Sequence, residues 1–118
     1  MNWKEGVPIF RQLEDLVVAD ILAERLAEGS AVPSVRQMAS DCELNPLTVS
    51  RAYQDLADQG FLEKRRGVGW FVSAGARLAL LGRERKEFMT HQWPAIVARA
   101  HQLGLSVADL LKNAMPSP

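Results

Sequence analysis

Five side chains between residues 47 and 54 carry groups that could read the edges of DNA base pairs. Hydroxyl, guanidinium and amide groups hydrogen-bond to bases in the major groove, and an apolar side chain can contact the methyl group of thymine. These side chains belong to Leu47, Thr48, Ser50, Arg51 and Gln54. The chemistry that they indicate is recognition of DNA. The alternative is a polar helix face that is only solvated, as on most amphipathic helices.

Position along a helix assigns a hypothetical role to each candidate base contact. Arg51 could pair with guanine, Gln54 with adenine, and Leu47 could meet a thymine methyl group, while Ser50 is a further candidate for a base edge. Tyr53 is equally compatible with the protein–DNA boundary and with the core. A bidentate base contact would contribute ~1–3 kcal/mol of discrimination against the wrong base.

Other residues suit the phosphate backbone rather than the bases. Asn45, Thr48 and the first backbone N–H groups of the helix can bind phosphate oxygens, assisted by the helix dipole. Arg36 can hold a phosphate or reach a groove edge, and Ser34 completes this group of predicted DNA contacts. The sequence therefore predicts both positioning and base-reading contacts.

Two short helices position these residues. Asn45 is a strong N-cap and Pro46 suits the first helical position, so the second helix should begin there. Val49, Ala52 and Leu56 give this helix one apolar face. Upstream, Ser34 and Gln37 have the spacing of a capping box, which predicts a helix that ends near Asp41-Cys42. The short connection between the two helices predicts a helix-turn-helix, although the glycine common in that turn is absent.

A β-hairpin is predicted after the second helix, which should end at Gly60. Residues 61–64 and 70–72 have the composition of strands, and a basic, glycine-containing turn lies between them. The predicted DNA contacts in this turn are Arg65, Arg66, Gly67 and Val68, with Arg65 alternatively pointing the other way along its strand. Helix, turn, helix and basic hairpin in this order predict a winged helix-turn-helix, mostly α with a small β-hairpin. Residues 31–32 should add a short strand beside the wing.

The balance of acidic and basic residues argues against nonspecific nucleic-acid binding as the main activity. The chain has fourteen Lys/Arg and fourteen Asp/Glu, with eight basic and eleven acidic residues in positions 1–75. A nonspecific nucleic-acid binder normally has a basic surface overall. Binding should therefore depend on a local cluster, namely Arg36, Arg51, Lys64, Arg65 and Arg66. A protein-interaction module and a DNA-architectural protein are the alternatives to a sequence-specific regulator.

Helices are also predicted at both ends of the chain. The first should run from about Pro8 to Ala27, with Gly29 ending it. Its apolar residues predict a broad buried stripe, formed mainly by Ile9, Leu13, Leu16, Val17 and Ile21 and widened by Phe10, Val18, Leu22 and Leu26. A second helical region should extend from Ala76 to about Leu103 and be kinked or divided near Thr90 and Pro94, since proline cannot donate a hydrogen bond. Ser106 and Asp109 resemble a capping box that opens a last short helix to about residue 113.

The C-terminal residues are predicted to mediate self-association. A segment of this length cannot enclose a sizeable ligand cavity, yet it carries many apolar side chains that need cover. The predicted dimer contacts are Leu78, Leu81, Phe88, Ile96, Leu103 and Leu110. The chain would then consist of a DNA-binding domain (residues 1–75) and a helical dimerisation region (residues 76–118). The alternative is that the tail folds back on its own domain.

Several other classes of function are not expected. Carboxylate pairs lie on helix surfaces without a nucleophile, a general base or a glycine-rich phosphate loop, so we expect no catalytic residues and no cofactor. His91 and His101 lack the spacing of a metal site, and Cys42 suits a small buried residue. No run of 18 apolar residues is present, which argues against a membrane span. With one cysteine and no apolar signal region, a cytoplasmic location is expected.

Residues 7–73 resemble the DNA-binding domain of GntR-type bacterial transcription regulators. The similar segments are Pro8–Leu13, Val32–Ala39, Thr48–Tyr53 and Gly67–Val72. The Asn45-Pro46 pair, Tyr53 and the short C-terminal part resemble the YtrA subgroup. Val35 replaces a glutamate common in the family and Trp70 a threonine. Arginines that some members carry at the positions of Pro46 and Ser50 are absent, so those members' base contacts do not transfer.

The resemblance implies a transcription regulator that dimerises through its short helical tail. Its partners would be double-stranded DNA, a second copy of the chain and, optionally, an unidentified small-molecule effector. A twofold dimer presents two recognition helices to one face of DNA, so the operator should be a pseudo-palindrome with half-sites ~34 Å or a multiple apart. Repression by blocking promoter access is the expected mode of action.

Overall fold

Six α-helices and one β-hairpin are present in the computed structural model, which describes residues 2–114. The elements are α1 (Ile9–Leu22), α2 (Val35–Cys42), α3 (Pro46–Asp58), β1 (Leu62–Arg65), β2 (Gly69–Val72), α4 (Ala76–Glu87), a π-helical segment (Phe88–Gln92), α5 (Trp93–Gln102) and α6 (Val107–Ala114). Positions 1 and 115–118, which the predicted domains include, lie outside the described residues. The predicted mostly helical winged helix-turn-helix is confirmed.

The helix-turn-helix begins where its capping residues indicate. The Ser34 hydroxyl accepts a hydrogen bond from the Gln37 backbone N–H (3.1 Å), and the Asn45 side chain accepts one from the Leu47 N–H (2.9 Å). The prediction of a full capping box at Ser34 is wrong, because the Gln37 amide donates to Asp41 (2.7 Å) instead. Each helix therefore starts at the predicted residue, but α2 has only half of the reciprocal pair.

The turn between α2 and α3 uses a left-handed residue that is not glycine. Glu43 has φ 54° and ψ 47°, and the next N–H, that of Leu44, donates to the Ala39 carbonyl (2.9 Å). This conformation brings Cβ close to the following carbonyl, a strain that glycine avoids. The turn thus keeps its shape at a conformational cost.

Replacing Glu43 by glycine is expected to raise the free energy of unfolding by about 0.5–1 kcal/mol, since glycine adopts positive φ without this strain. Urea denaturation at fixed protein concentration measures the change. Glu43→Ala is the matched control, because it removes the same charge and side chain but keeps Cβ. Equal stabilisation by both substitutions would contradict the conformational explanation.

The wing is a two-stranded antiparallel hairpin. Leu62 pairs with Val72 and Arg65 with Gly69, so both strands extend one residue further toward the tip than predicted. The predicted strand at residues 31–32 is confirmed as a single bridge between Ala31 and Phe71. The turn is consequently confined to residues 66–68, which places few residues at the tip.

Tyr53 belongs to the core, which decides between the two predicted alternatives. Its side chain is buried, its hydroxyl donates to the Pro33 carbonyl (2.8 Å), and its ring meets Trp70 edge to face at 5.7 Å between centroids. Cys42 is also buried, as predicted, and burial raises the pKa of its thiol. These contacts join α2, α3 and the wing into one packed unit.

The first helix is shorter than predicted. It ends at Leu22 rather than Ala27, and Glu24 follows in a left-handed conformation with φ 61°. The carbonyl of Leu22 accepts a hydrogen bond from Arg77 Nε (3.0 Å), and Leu26 N–H donates to the Asp20 carbonyl (3.1 Å). Because these contacts end the helix, the predicted stop at Gly29 is wrong.

The buried face of α1 also differs from the apolar pattern. Ile9 and Leu16 are 40% and 38% exposed, although the pattern assigns them to the core. Glu14 is buried instead, with only 5% of its surface exposed. A carboxyl group therefore occupies a position next to α3 that periodicity alone assigns to solvent.

The chain divides into two compact units. The N-terminal unit ends at Leu81, and the C-terminal unit begins at Gly82. The N-terminal unit extends beyond the proposed boundary at residue 75 because Ala76 and Leu80 are buried in its core. Within the described part of the chain, no helix is long and apolar enough to cross a membrane.

The C-terminal unit follows the predicted helix signals closely. The π-helical segment lies where Thr90 and Pro94 predicted a division, since a proline without N–H disturbs the regular hydrogen-bond ladder. At α6 the capping box forms in full, with Ser106 N–H donating to Asp109 Oδ2 (2.8 Å) and Asp109 N–H donating to the Ser106 hydroxyl (3.1 Å). These hydrogen bonds hold the pKa of the Asp109 carboxyl below its usual value.

Candidate nucleic-acid interface

The outer face of α3 presents the predicted base-reading groups together. Leu47 is 76% exposed and Arg51 and Gln54 are exposed, whereas Thr48 and Ser50 are half-buried. Asn45 caps the start of the helix, where backbone N–H groups lack partners within the helix. The arrangement combines a positive helix end with short hydrogen-bonding side chains, which suits the edge of a DNA groove.

Arg51 contacts an aromatic ring of α1. Its guanidinium carbon lies 3.9 Å from the centroid of the Phe10 ring, which is a close cation–π contact. Among residues 2–114, Arg51 makes no hydrogen bond or ion pair. The guanidinium N–H groups are therefore free to bind an external acceptor.

Gln54 is engaged with its own helix. Its amide nitrogen donates to Asp58 Oδ1 at 2.9 Å. A bidentate contact with adenine needs both the amide oxygen and nitrogen. Gln54 must therefore exchange its contact with Asp58 before it can read a base in that way.

A group of three ionisable side chains lies between α1 and α3, namely Arg11, Glu14 and Asp55. Arg11 donates to Asp55 Oδ2 (3.0 Å), and its guanidinium lies 3.4 Å from Glu14 Oε2. Burial is the main cause that raises the pKa of Glu14 to about 8, and the adjacent Asp55 raises it further. A hydrogen bond from Glu14, followed by the charges of Arg11 and Arg51 and a bond from Gln59, holds the pKa of Asp55 below its usual value.

Protonation of Glu14 explains these opposite shifts. Within the described residues, Glu14 Oε1 is buried and has no hydrogen-bond partner. A protonated Glu14 carboxyl group can donate to the carboxylate of Asp55, with which it shares a side-chain hydrogen bond. The pair then shares one negative charge, which Arg11 neutralises.

The two predicted contacts at the start of α2 differ in their freedom. The Ser34 hydroxyl is exposed but is used in capping its own helix. Arg36 lies in the first turn of α2 and is exposed to solvent. Within residues 2–114 it makes no hydrogen bond or ion pair. Arg36 is thus the freer of the two for a phosphate.

The basic wing contains one free and one engaged arginine. Arg65 forms an ion pair with Glu63 (2.9 Å), and its guanidinium carbon lies 4.0 Å from the centroid of the Phe71 ring. Arg66 is exposed at the tip beside Gly67, whose φ of 74° is natural for glycine, and Val68 is 72% exposed. The tip therefore presents Arg66 and Val68, while Arg65 is turned along the sheet.

The predicted dimer contacts are mostly exposed apolar side chains. In the N-terminal unit, Leu78 is exposed and Leu81 is half-buried. In the C-terminal unit, Phe88, Ile96 and Leu103 are exposed and Leu110 is half-buried. Leu103 is the C-cap residue of α5 and follows Ile96 by seven positions, about two helical turns.

In the portion described, no group of three or more His, Cys, Asp or Glu side chains is placed to hold a metal ion. His91 Nδ1 lies 2.9 Å from a Glu87 oxygen, which is an ordinary contact between neighbouring helical turns.

Sequence reasoning missed Phe10, which contacts Arg51, and it missed Arg11 and Glu14, which contact Asp55. The broad apolar stripe of α1 is the signal for Phe10, and it assigns no role to Arg11 or Glu14. Arg11 and Asp55 are 44 positions apart, so no local spacing could predict their ion pair.

Comparisons with known proteins agree with this geometry. Residues 10–72 match the family described as bacterial regulatory proteins, gntR family. The uncharacterized HTH-type transcriptional regulator YhcF of Bacillus subtilis is 31% identical over 113 residues, covering 95% of this chain and 91% of YhcF. The HTH-type transcriptional repressor YtrA of the same species is 29% identical over 107 residues, covering 91% of this chain and 82% of YtrA.

A solved structure shares the fold over nearly the whole chain. The GntR family transcriptional regulator from Listeria monocytogenes superposes with a TM-score of 0.76 and 20% identity, covering 95% of this chain and 96% of the Listeria chain. At this identity the likeness concerns the fold alone.

Proposed function

Because the chain belongs to the gntR family of bacterial regulatory proteins and is a DNA-binding transcriptional regulator, we propose that it acts as a repressor that binds a pseudo-palindromic operator as a homodimer. Residues 1–75 supply the DNA contacts and residues 76–118 the dimer contacts. The relative YtrA is named a repressor, which supports this direction of regulation.

One observation carries the proposal: the unpaired Arg51 guanidinium lies among exposed hydrogen-bonding groups in the first turns of a capped helix. A helix end of this kind fits the major groove, where a guanidinium can donate to both guanine acceptors. Arg36 and Arg66 flank it from α2 and the wing, and both are suited to phosphates. Base contacts would then provide specificity, while the flanking arginines hold the helix in register.

Two copies of α3 are needed for an operator of useful length. One helix reads only a few base pairs, and a twofold dimer doubles the site into a pseudo-palindrome. The exposed side chains Phe88, Ile96 and Leu103 supply an apolar surface for the second copy. A dimer bound at a promoter would exclude the transcription machinery by occupancy.

Substituting Arg51 tests the proposal directly. Selection from a random DNA pool should enrich one pseudo-palindromic sequence with the parent protein. Arg51→Ala should then lose about 5- to 150-fold of its discrimination against substitution at one base pair of each half-site, corresponding to ~1–3 kcal/mol. Competition binding with single-base variants measures this ratio. Failure to enrich any sequence, or full discrimination by Arg51→Ala, would contradict the proposed base contact.

Removing the wing arginine should have a different signature. Arg66→Ala is expected to weaken binding to all sequences about equally and to lessen the slope of log affinity against log salt by about one for each wing, because it removes one phosphate contact per subunit. Titrations at several salt concentrations measure both effects. Arg65→Ala is the matched control and should change the slope less, since Arg65 is paired with Glu63 (2.9 Å). A change confined to one operator position would contradict the assignment of Arg66.

A further inference from the structure

Arg51 is spaced to pair with a carboxylate on its own helix, yet it does not. Asp55 follows it by four residues, a separation at which oppositely charged side chains commonly meet on a helix. Asp55 instead accepts hydrogen bonds from Arg11 (3.0 Å) and Gln59 (3.0 Å). Arg51 lies against Phe10, with its guanidinium carbon 3.9 Å from the ring centroid. Helix α1 therefore supplies both the ring that Arg51 contacts and the cation that binds Asp55, the acid four positions after Arg51.

We propose that Phe10 and Arg11 are positioning residues for Arg51, and hence determinants of sequence specificity. The Phe10 ring holds the guanidinium beside α3, and Arg11 occupies Asp55 so that Asp55 does not capture Arg51. This inference rests on the proposed function, because it requires Arg51 to contact a base.

The Phe10 contact favours a base-reading arginine for a physical reason. An aromatic ring attracts a guanidinium through its negative face and consumes none of the N–H donors. A carboxylate would bind those same donors, and Arg51 would have to break that pair on reaching DNA. An arginine already placed on a ring also loses less rotamer freedom when it binds. The ring thus restricts the side chain while leaving its recognition chemistry free.

Arg11 contributes through charge. Asp55 lies one helical turn beyond Arg51, and its carboxylate alone would both attract Arg51 and repel nearby phosphates. The ion pair with Arg11 neutralises it, and Gln59 occupies the same oxygen, Oδ2. Glu14 of the same helix also lies close to this pair, with its Oε2 atom 3.4 Å from Arg11 Nη1. Because Asp55 is held from the α1 side, Arg51 remains directed to Phe10.

A rescue experiment tests the role of Arg11. The probe is the duplex recovered from the random pool, together with its single-base variants at the position sensitive to Arg51. Arg11→Ala should lower discrimination at that position by about two- to fivefold, because Asp55 then competes for Arg51. Asp55→Asn in the same chain should restore it, since the amide carries no charge. Asp55→Asn alone is the control and should discriminate like the parent.

The role of Phe10 is tested by a double-mutant cycle. Phe10→Tyr keeps an aromatic face and should preserve discrimination, whereas Phe10→Leu should lower it by about two- to fivefold. In the Arg51→Ala background, Phe10→Leu should lower it no further, because the side chain that Phe10 positions is gone. Thermal melts accompany each variant, and the exposed Arg11 provides an independent measurement if Phe10→Leu does not fold.

Specific outcomes would overturn the inference. Arg11→Ala could weaken binding to all duplexes equally, with no discrimination restored by Asp55→Asn. Arg11 would then contact a phosphate and would not position Arg51. If Phe10→Leu discriminates between the duplex and its single-base variants as well as the parent does, positioning of Arg51 by the Phe10 ring is likewise contradicted. If Arg51→Ala lowers discrimination but the Phe10 and Arg11 variants do not, only this inference fails. If Arg51→Ala itself discriminates like the parent, the proposed base contact fails first and the positioning role with it.

Discussion

A variant carrying Ile96→Gln and Leu103→Gln is expected to lose about 10²- to 10⁴-fold of its affinity for the full operator while keeping its affinity for a half-site. Both side chains are exposed apolar groups of the C-terminal unit, 45% and 57% accessible, and each would be buried twice in a twofold dimer. Without the dimer, the second half-site contact becomes an independent binding event. The effective concentration that couples the two contacts is then lost.

Neutral glutamines make this experiment interpretable. Added charges would alter the attraction to DNA, whereas glutamine removes apolar surface and leaves the net charge unchanged. The matched control is Ile9→Gln with Leu16→Gln, the same residue types seven positions apart on α1, at 40% and 38% exposure. Sedimentation should give the mass of one 13.1 kDa chain for the tail variant and of two chains for the control. A tail variant that remains a dimer, with helical content intact, would place the interface elsewhere.

Raising the pH from about 5 to about 7.5 is expected to lower the free energy of unfolding by about 1.4 kcal/mol per pH unit through Glu14 alone. The pKa of Glu14 is raised from 4.5 in the unfolded chain to about 8 in the folded protein. Across this window the folded state holds a proton that the unfolded state has released. Stability therefore falls as pH rises and levels off above about 8.

Substituting Glu14 should remove this slope. Glu14→Gln cannot ionise, and its amide can still donate to Asp55, so the variant should exceed the parent in stability by a few kcal/mol near pH 8. Urea denaturation at fixed protein concentration, from pH 5 to 8.5, measures the dependence. Asp15→Asn is the matched control, because Asp15 is the exposed neighbour on the same helix and should leave the slope unchanged. Equal slopes in the parent and Glu14→Gln would contradict a buried, protonated Glu14.

Several parts of the fold could be predicted because their causes are local. Asn45 caps α3 through an atom two residues away, and Ser106 and Asp109 form a capping box across three residues. Pro94 marks the disturbed helical segment because the missing N–H belongs to the residue itself. Signals of this range can be read directly from the order of residues, and the predicted starts of α2, α3 and α6 agree with the structure.

Other features could not be predicted because their causes are distant in the sequence. The end of α1 depends on Arg77, which reaches the Leu22 carbonyl from 55 positions away. Glu14 was expected at the surface, since a carboxylate in a periodic pattern signals solvent, but packing against α3 buries it. For Arg65 the sequence leaves two alternatives, a contact with DNA or a direction the other way along its strand, because its contact with Phe71 depends on the pairing of two strands.

The family can be recognised from the sequence through the resemblance of its segments to GntR-type regulators. The order of the elements and the side chains in the first turns of α3 follow from spacing and capping within a few residues. Which arginines are free depends on the fold. Within residues 2–114, Arg51 lies on Phe10 without a hydrogen bond, whereas Arg65 is paired with Glu63 and Arg11 with Asp55. A charged side chain pairs with any opposite charge that packing brings within a few ångströms, and the periodicity of one helix does not specify its neighbour on another.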